Sequence, residues 1–270
     1  MKRGAAAAKI NLALVVGPRR ADGKHELLTV YQRITLADRL EVRRSERNGV
    51  TGFEDDTLVT RAIDALTARD EAGFSVHIDK RIPVAAGLGG GSADAAAALA
   101  LGNELLVEPL PPDRLDAIAR ELGADVPFFL RSGPQLGAGD GAELRQLDLP
   151  QDYWILIVVP HEERKSSTAE VYARFDARGG ESNFQARSVA LLNALERVRR
   201  PRDLADLPAN DLISSPLADE LRELGAFRAD VTGAGPAVYG LFLHHAHATL
   251  AERRMRARGR TWLTAPAWYV

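Results

Sequence analysis

The sequence predicts an α+β fold in two joined halves, and three features carry that expectation. Alternating segments early in the chain read as strands, a glycine-rich loop at 83–91 feeds an alanine-rich helix, and the apolar run at 154–159 opens a second half whose order of elements is ferredoxin-like. At 270 residues the chain exceeds the usual single core, so a boundary is expected near Pro150, dividing it into 1–150 and 151–270.

Residues 8–16 form the first expected strand, with Lys9 and Asn11 on one face and Ile10, Leu12 and Leu14 on the other. Arg20, Ala21, Asp22 and Gly23 make a turn, after which 26–34 and 38–44 read as two further strands. The spacing of Leu58, Ala62 and Leu66 predicts a helix over 57–69. Phe74, Val76 and Ile78 alternate with Ser75, His77 and Asp79, the pattern of a half-buried strand. Ser92 begins a helix to about residue 106, stopped by Pro109, Pro111 and Pro112. Asp113 is expected to cap the next helix, which Gly123 ends. In the second half the pattern gives helices at 168–175 and 185–198, strands at 226–231 and 238–243, a helix at 246–258 and a last strand from Thr261.

Composition narrows the function classes. A net charge of −2, from 35 basic and 37 acidic residues, offers no global attraction for nucleic acid. The absence of cysteine excludes disulfides, thiol nucleophiles and cysteine metal sites, and suits a reducing cytoplasm. Met1, Lys2 and Arg3 before four alanines resemble the start of a signal peptide, but Lys9 and Asn11 interrupt the apolar run, so export is not expected. No run of about 18 apolar residues occurs, so no membrane partner is expected either.

The loop is the chemical centre of the sequence. Gly87, Gly89, Gly90 and Gly91 place four glycines in five positions directly before a helix. Bare backbone N–H groups, close ligand approach and the positive end of a helix dipole together suit a polyphosphate. Ser92 offers a hydroxyl to a phosphate or to Mg²⁺. The loop is not a P-loop, since no Lys follows the glycines. Ser92 stands where a dinucleotide fingerprint needs its last Gly, and Asp94 where a nucleophile elbow needs one. On the residues alone, Lys9 reads better as a surface-strand lysine and Asp125 better as a capping carboxylate before Pro127 than either does as a catalytic group.

The string from Pro83 through Gly87, Leu88, Gly89, Gly90, Gly91 and Ser92 to Ala93 resembles the phosphate-binding motif of the GHMP kinases, the family of galactokinase, homoserine kinase and mevalonate kinase. Further motifs lie in the same order: Lys9-Ile10-Asn11, Asp22-Gly23 with His25, Lys80-Arg81-Ile82 before the loop, Gly123-Ala124-Asp125-Val126-Pro127, Asn210-Asp211-Leu212, and Thr232-Gly233-Ala234-Gly235-Pro236. They are similar to the branch of that family acting on 4-diphosphocytidyl-2-C-methyl-D-erythritol in the non-mevalonate route to isoprenoids. The resemblance implies a GHMP kinase fold, with an N-terminal ribosomal-S5-domain-2-like ATP-binding half and a C-terminal ferredoxin-like half. It also implies ATP and Mg²⁺, a small-molecule substrate bearing cytidine diphosphate, and a monomer or weak homodimer.

The same resemblance assigns roles. Asp125 corresponds to the residue that takes the proton from the substrate hydroxyl, and Lys9 to the lysine paired with it and with the transferring phosphoryl group; a carboxylate beside an ammonium stays ionised. Asn11, Lys24, His25, Tyr31, Tyr172, Gly233 and Gly235 fall at substrate-contacting positions, with His25 hydrogen-bonding cytosine and Tyr31 and Tyr172 stacking on it. Thr57 and Lys80 fall on the adenine side. The sequence departs from the family where Lys24 replaces a usual Tyr, Thr57 an Asn, and Ala234 a Ser or Thr. Two competing expectations are another GHMP kinase, acting on homoserine or mevalonate, and a non-catalytic nucleotide- or RNA-binding module. The histidines at 244, 245 and 247 read as a solvated loop, and the arginines at 197–202 and 253–258 as solvated helix ends.

Overall fold

Strand β1 (Lys2–Arg19) and strand β2 (His25–Ser45) form one long antiparallel hairpin, so the strands expected at 26–34 and 38–44 are a single strand. Thr35, Leu36 and Ala37 contain no turn residue to break it. This is a computed structural model, and it describes residues 1–53, 56–67, 73–161 and 167–267. The first half continues with β3 (Gly49–Thr51), α1 (Thr57–Thr67), β4 (Gly73–Asp79), α2 (Gly90–Asn103), α3 (Pro112–Leu122), α4 (Val126–Phe129), β5 (Gln135–Ala138) and β6 (Glu143–Gln146). Ala68 and Arg69, expected at the end of α1, lie outside the described residues. The strands make one sheet in the order β3-β4-β2-β5-β6, with β1 against β2. Val59, Ala62 and Ile63 of α1 and Ala95 and Leu99 of α2 pack on Phe74, Val76 and Ile78 of β4, which alternate inward as their spacing requires.

Two helix starts differ from expectation. Helix α2 begins at Gly90, behind Gly89 in a left-handed conformation, and ends at Asn103, whose amide clasps Leu110 through hydrogen bonds of 3.1 and 2.7 Å. Helix α3 starts at Pro112, and Asp113 sits in its first turn without capping it. A proline needs no N–H partner there, and a carboxylate still favours the helix dipole.

The second half contains β7 (Trp154–Pro160), α5 (Thr168–Ala177), α6 (Phe184–Leu195), α7 (Pro216–Glu223), β8 (Arg228–Val231), β9 (Val238–Phe242), α8 (His245–Met255) and β10 (Gly259–Thr264). Its antiparallel sheet runs β10-β7-β9-β8, the ferredoxin-like arrangement. The helices packed on that sheet are α7 and α8, through Leu221, Ala251 and Met255. Helix α7 is absent from the expected elements, although Ser215, which accepts from the Leu217 N–H, and Pro216 form a readable helix start. Helix α5 instead reaches back to β1, placing Val171 and Phe175 on Leu14 and Val16. His244, His245 and His247 lie exposed at the start of α8. No helix among the described residues is long and apolar enough to cross a membrane.

A bulge in β1 joins the halves. Asn11 pairs with Tyr31 and Ala13 with Val30, leaving Leu12 as the extra residue. Its freed carbonyl accepts from buried Arg228 at 2.5 Å and from the Tyr239 hydroxyl at 3.3 Å. The bulge also reverses the side-chain alternation: Ala13 and Val15 join Ile10 and Leu12 in the core shared with Ile155 and Ile157, and Leu14 turns to the face of Lys9 and Asn11. The expectation that Leu14 sides with Ile10 and Leu12 is therefore corrected.

Candidate active site

A cleft of about 870 Å³ opens beside the hairpin, walled by β1, the glycine loop, the start of α4, α5 and the Gly233 loop. The loop approaches Lys9 closely because the Lys9 N–H donates to the Leu88 carbonyl at 3.0 Å. Gly89 adopts φ +70°, and a Cβ there would stand 2.9 Å from the Phe129 ring and 3.1 Å from Lys9 Cγ. Glycine is thus what allows strand, loop and α4 to meet. The first N–H groups of α2 belong to Gly90, Gly91 and Ser92, and no side chain caps them. Of the remaining loop residues, Leu88, Ala93 and Pro83 are buried; the Ala93 N–H is taken by the Gly89 carbonyl at 2.9 Å, so only Leu88 among them has main chain to offer a phosphate.

Lys9 lies almost fully buried at the cleft floor, its ammonium 2.7 Å from Asn11 Oδ1 and 3.6 Å from Asp125 Oδ2. Asp125 precedes α4 but makes no capping bond, which leaves its carboxylate to the cleft. Its other oxygen accepts from the Tyr31 hydroxyl at 3.0 Å. Asn11 is oriented in turn, donating to Thr29 Oγ1 at 2.8 Å, and its backbone N–H donates to Thr232 Oγ1 at 3.1 Å. Tyr31 corrects an expectation: its ring is 2% exposed and tilted against Phe128 at 4.9 Å, so it has no face for a base. What it brings to the site is its hydroxyl.

Around His25 the structure gathers Tyr172, stacked at 4.8 Å, and Asp176, 2.7 Å from Nε2. Lys24 stands at the rim, 2.5 Å from Asp140. Burial alone would raise the Asp140 carboxyl, but the Lys24 bond and the Ala142 N–H hold it below its usual range.

Thr57 and Lys80 are not in the cleft wall. Thr57 is exposed at the start of α1, while Lys80 turns inward to Asp38 at 2.7 Å and Asp94 at 2.5 Å. Lys80 thereby buttresses the loop: Asp38 also accepts from the Arg81 and Ile82 N–H groups at 2.5 and 2.7 Å, fixing the segment that leads into it. Burial first, opposed by Lys80 and aided by Asp38, pushes the Asp94 carboxyl up to about 8. Asp38 and Asp94 escape a motif reading because only folding makes them neighbours of Lys80.

The Gly233 loop closes the far side. Gly235 backs onto the first loop so tightly that a Cβ would fall 2.3 Å from the Gly87 nitrogen, and Asn210 holds the Gly233 carbonyl at 2.8 Å. Thr232, given no role by its motif, therefore joins the two halves at the site, accepting from the Asn11 N–H at 3.1 Å and donating to the Gly87 carbonyl at 3.3 Å, while Asn210 braces the Gly233 loop from within the second half.

The chain matches the model for the GHMP kinases N terminal domain over residues 57–133 and that for the GHMP kinases C terminal over residues 214–261. It is 39% identical to the 4-diphosphocytidyl-2-C-methyl-D-erythritol kinase of Geobacter sulfurreducens, with 96% of each chain covered. It is 35% identical to the kinase of the same name from Desulfitobacterium hafniense, over 95% of this chain and 93% of the relative. Among solved structures it resembles a 4-(cytidine 5'-diphospho)-2C-methyl-D-erythritol kinase with a TM-score of 0.81 and 32% identity, over 98% of this chain and 99% of the other. A mevalonate kinase structure matches with a TM-score of 0.77 at 15% identity over 98% and 99%, a likeness of fold alone.

Proposed function

Since the chain belongs to the 4-diphosphocytidyl-2-C-methyl-D-erythritol kinase family of the GHMP kinases, we propose that it moves the γ-phosphoryl group of ATP to the 2-hydroxyl of 4-diphosphocytidyl-2-C-methyl-D-erythritol in non-mevalonate isoprenoid synthesis. The observation that carries the reading is a lysine-paired carboxylate, Lys9 with Asp125 at 3.6 Å, in the cleft that the glycine loop borders.

In this mechanism the loop N–H groups from Gly89 to Ser92 hold the ATP phosphates at the positive end of α2. Asp125 accepts the hydroxyl proton as the substrate oxygen bonds to the γ-phosphorus, and the bond from that phosphorus to the bridging oxygen breaks to release ADP. Lys9 offsets charge on the phosphoryl oxygens, and Asn11 and Tyr31 fix the pair. His25 and Tyr172 serve the cytosine, Lys24 the diphosphate, and Gly233 and Gly235 the far wall. Among the described residues no group of three or more His, Cys, Asp or Glu is placed to hold an ion. Mg²⁺ would therefore be held chiefly by nucleotide phosphates, with the Ser92 hydroxyl as the protein ligand. When bound, it neutralises the β- and γ-oxygens. In this reading the ATP-binding and catalytic half is 1–150, the substrate-binding half is 151–270, and the enzyme works in the cytoplasm.

The test is ADP release from purified protein, ATP and a panel of alcohols. Preferred turnover of the cytidine-diphosphate-linked methylerythritol is expected; turnover of mevalonate or homoserine in its place would overturn the assignment.

A further inference from the structure

Helix α5 presents two side chains to His25 from one face, since Tyr172 and Asp176 stand four residues apart. Tyr172 covers the ring, with planes 30° apart, and Asp176 Oδ1 meets its edge 2.7 Å from Nε2. Arg19 holds the other oxygen of Asp176 through two hydrogen bonds, of 2.9 and 2.6 Å. The Arg19 bond, with a further contribution from His25, keeps the Asp176 carboxyl below its usual range against a smaller effect of burial. An ionised carboxylate only accepts hydrogen bonds, so the hydrogen between the two residues belongs to His25 Nε2.

We infer that Asp176 is a positioning residue for substrate selectivity, acting through His25 by dictating which ring nitrogen is left to read the pyrimidine. With Nε2–H given to Asp176, Nδ1 is the ring nitrogen left for the pyrimidine, and in the neutral tautomer that this bond selects it is an acceptor. An acceptor suits the 4-amino group of cytosine and opposes the 4-oxo group of uracil. Arg19 completes the device by preventing Asp176 from turning away, as outer groups fix the tautomer of a functional histidine elsewhere. The inference rests on the proposed cytidine-bearing substrate and adds the origin of its base selectivity.

The variant D176N reverses the pattern. Arg19 retains the amide oxygen, the amide NH₂ faces Nε2, and the ring hydrogen moves to Nδ1. Cytidine-linked substrate and its uridine analogue are compared by kcat/KM. The unaltered protein is expected to prefer cytidine, and D176N to lose about tenfold of that preference, the worth of one hydrogen bond, mainly through KM. Undiminished preference in D176N overturns the inference. If the unaltered protein turned over neither compound, the substrate assignment would fall, and the inference with it. A second readout needs no turnover: ¹⁵N shifts of the His25 ring should report Nε2–H in the unaltered protein and Nδ1–H in D176N. The same tautomer in both refutes the role of Asp176 even in an active enzyme.

Discussion

Tyr31 donates its hydroxyl hydrogen to Asp125 Oδ1 across 3.0 Å, opposite the oxygen that faces Lys9. Burial first, and then the Asp125 charge, push this hydroxyl well above the usual tyrosine range, so it remains a donor throughout the working pH range. Tyr31→Phe removes the bond and keeps the ring against Phe128. It should lower kcat about tenfold and leave the KM for ATP unchanged, as steady-state kinetics can establish.

The buttress under the loop makes stability depend on pH. Asp94 binds its proton more tightly in the folded chain, at about 8, than at the ordinary value of 3.8. Between those values the folded state holds more protons, so the contribution of Asp94 is fullest below the lower one, declines as pH rises and is gone above the higher. Thermal unfolding should show Tm falling between about pH 4 and pH 8, with a shallower fall over that range in Asp94→Asn. Equal slopes would remove Asp94 as the cause.

The two glycine loops should respond differently to added methyl groups. A Cβ on Gly235 would meet the Ala86 carbonyl carbon and the Gly87 nitrogen at 2.3 Å, whereas one on Gly91 would find ordinary contacts at 3.7 and 3.8 Å. Gly235→Ala should destabilise the protein by about 1–3 kcal/mol, as overpacking does. Gly91→Ala, inside α2, should be neutral or stabilising by up to about 1 kcal/mol. Denaturant melts of both variants decide the matter.

Arg228 should prove the costliest polar residue to remove. Buried to 6% exposure, it donates to the carbonyls of Leu12, Leu207 and Pro208 at 2.5, 2.6 and 2.9 Å. Arg228→Met leaves those acceptors unpaired and should cost about 3–5 kcal/mol in a urea melt.

What was legible in the sequence follows from the range of the interactions involved. The inward alternation of Phe74, Val76 and Ile78, the loop into α2 and the ferredoxin-like order are local patterns, and all are present. The placing of Leu14 was not legible, because the Leu12 bulge depends on Arg228 and Tyr239 from the other half of the chain. Tyr31 read as a stacking ring because its burial against Phe128 is a tertiary fact. Asp176 left no motif: its meaning comes from Arg19 and His25, brought to it by the docking of α5 on the hairpin. Ser215 and Pro216 were a missed local signal, readable without the fold.

The central claim is that Asp125 takes the hydroxyl proton, and the most direct measurement is kcat for Asp125→Asn with saturating ATP and the cytidine-linked alcohol, alongside nucleotide affinity. A fall of about 10²–10⁴-fold in kcat with ATP binding intact is predicted. Turnover at the rate of the unaltered protein would contradict it.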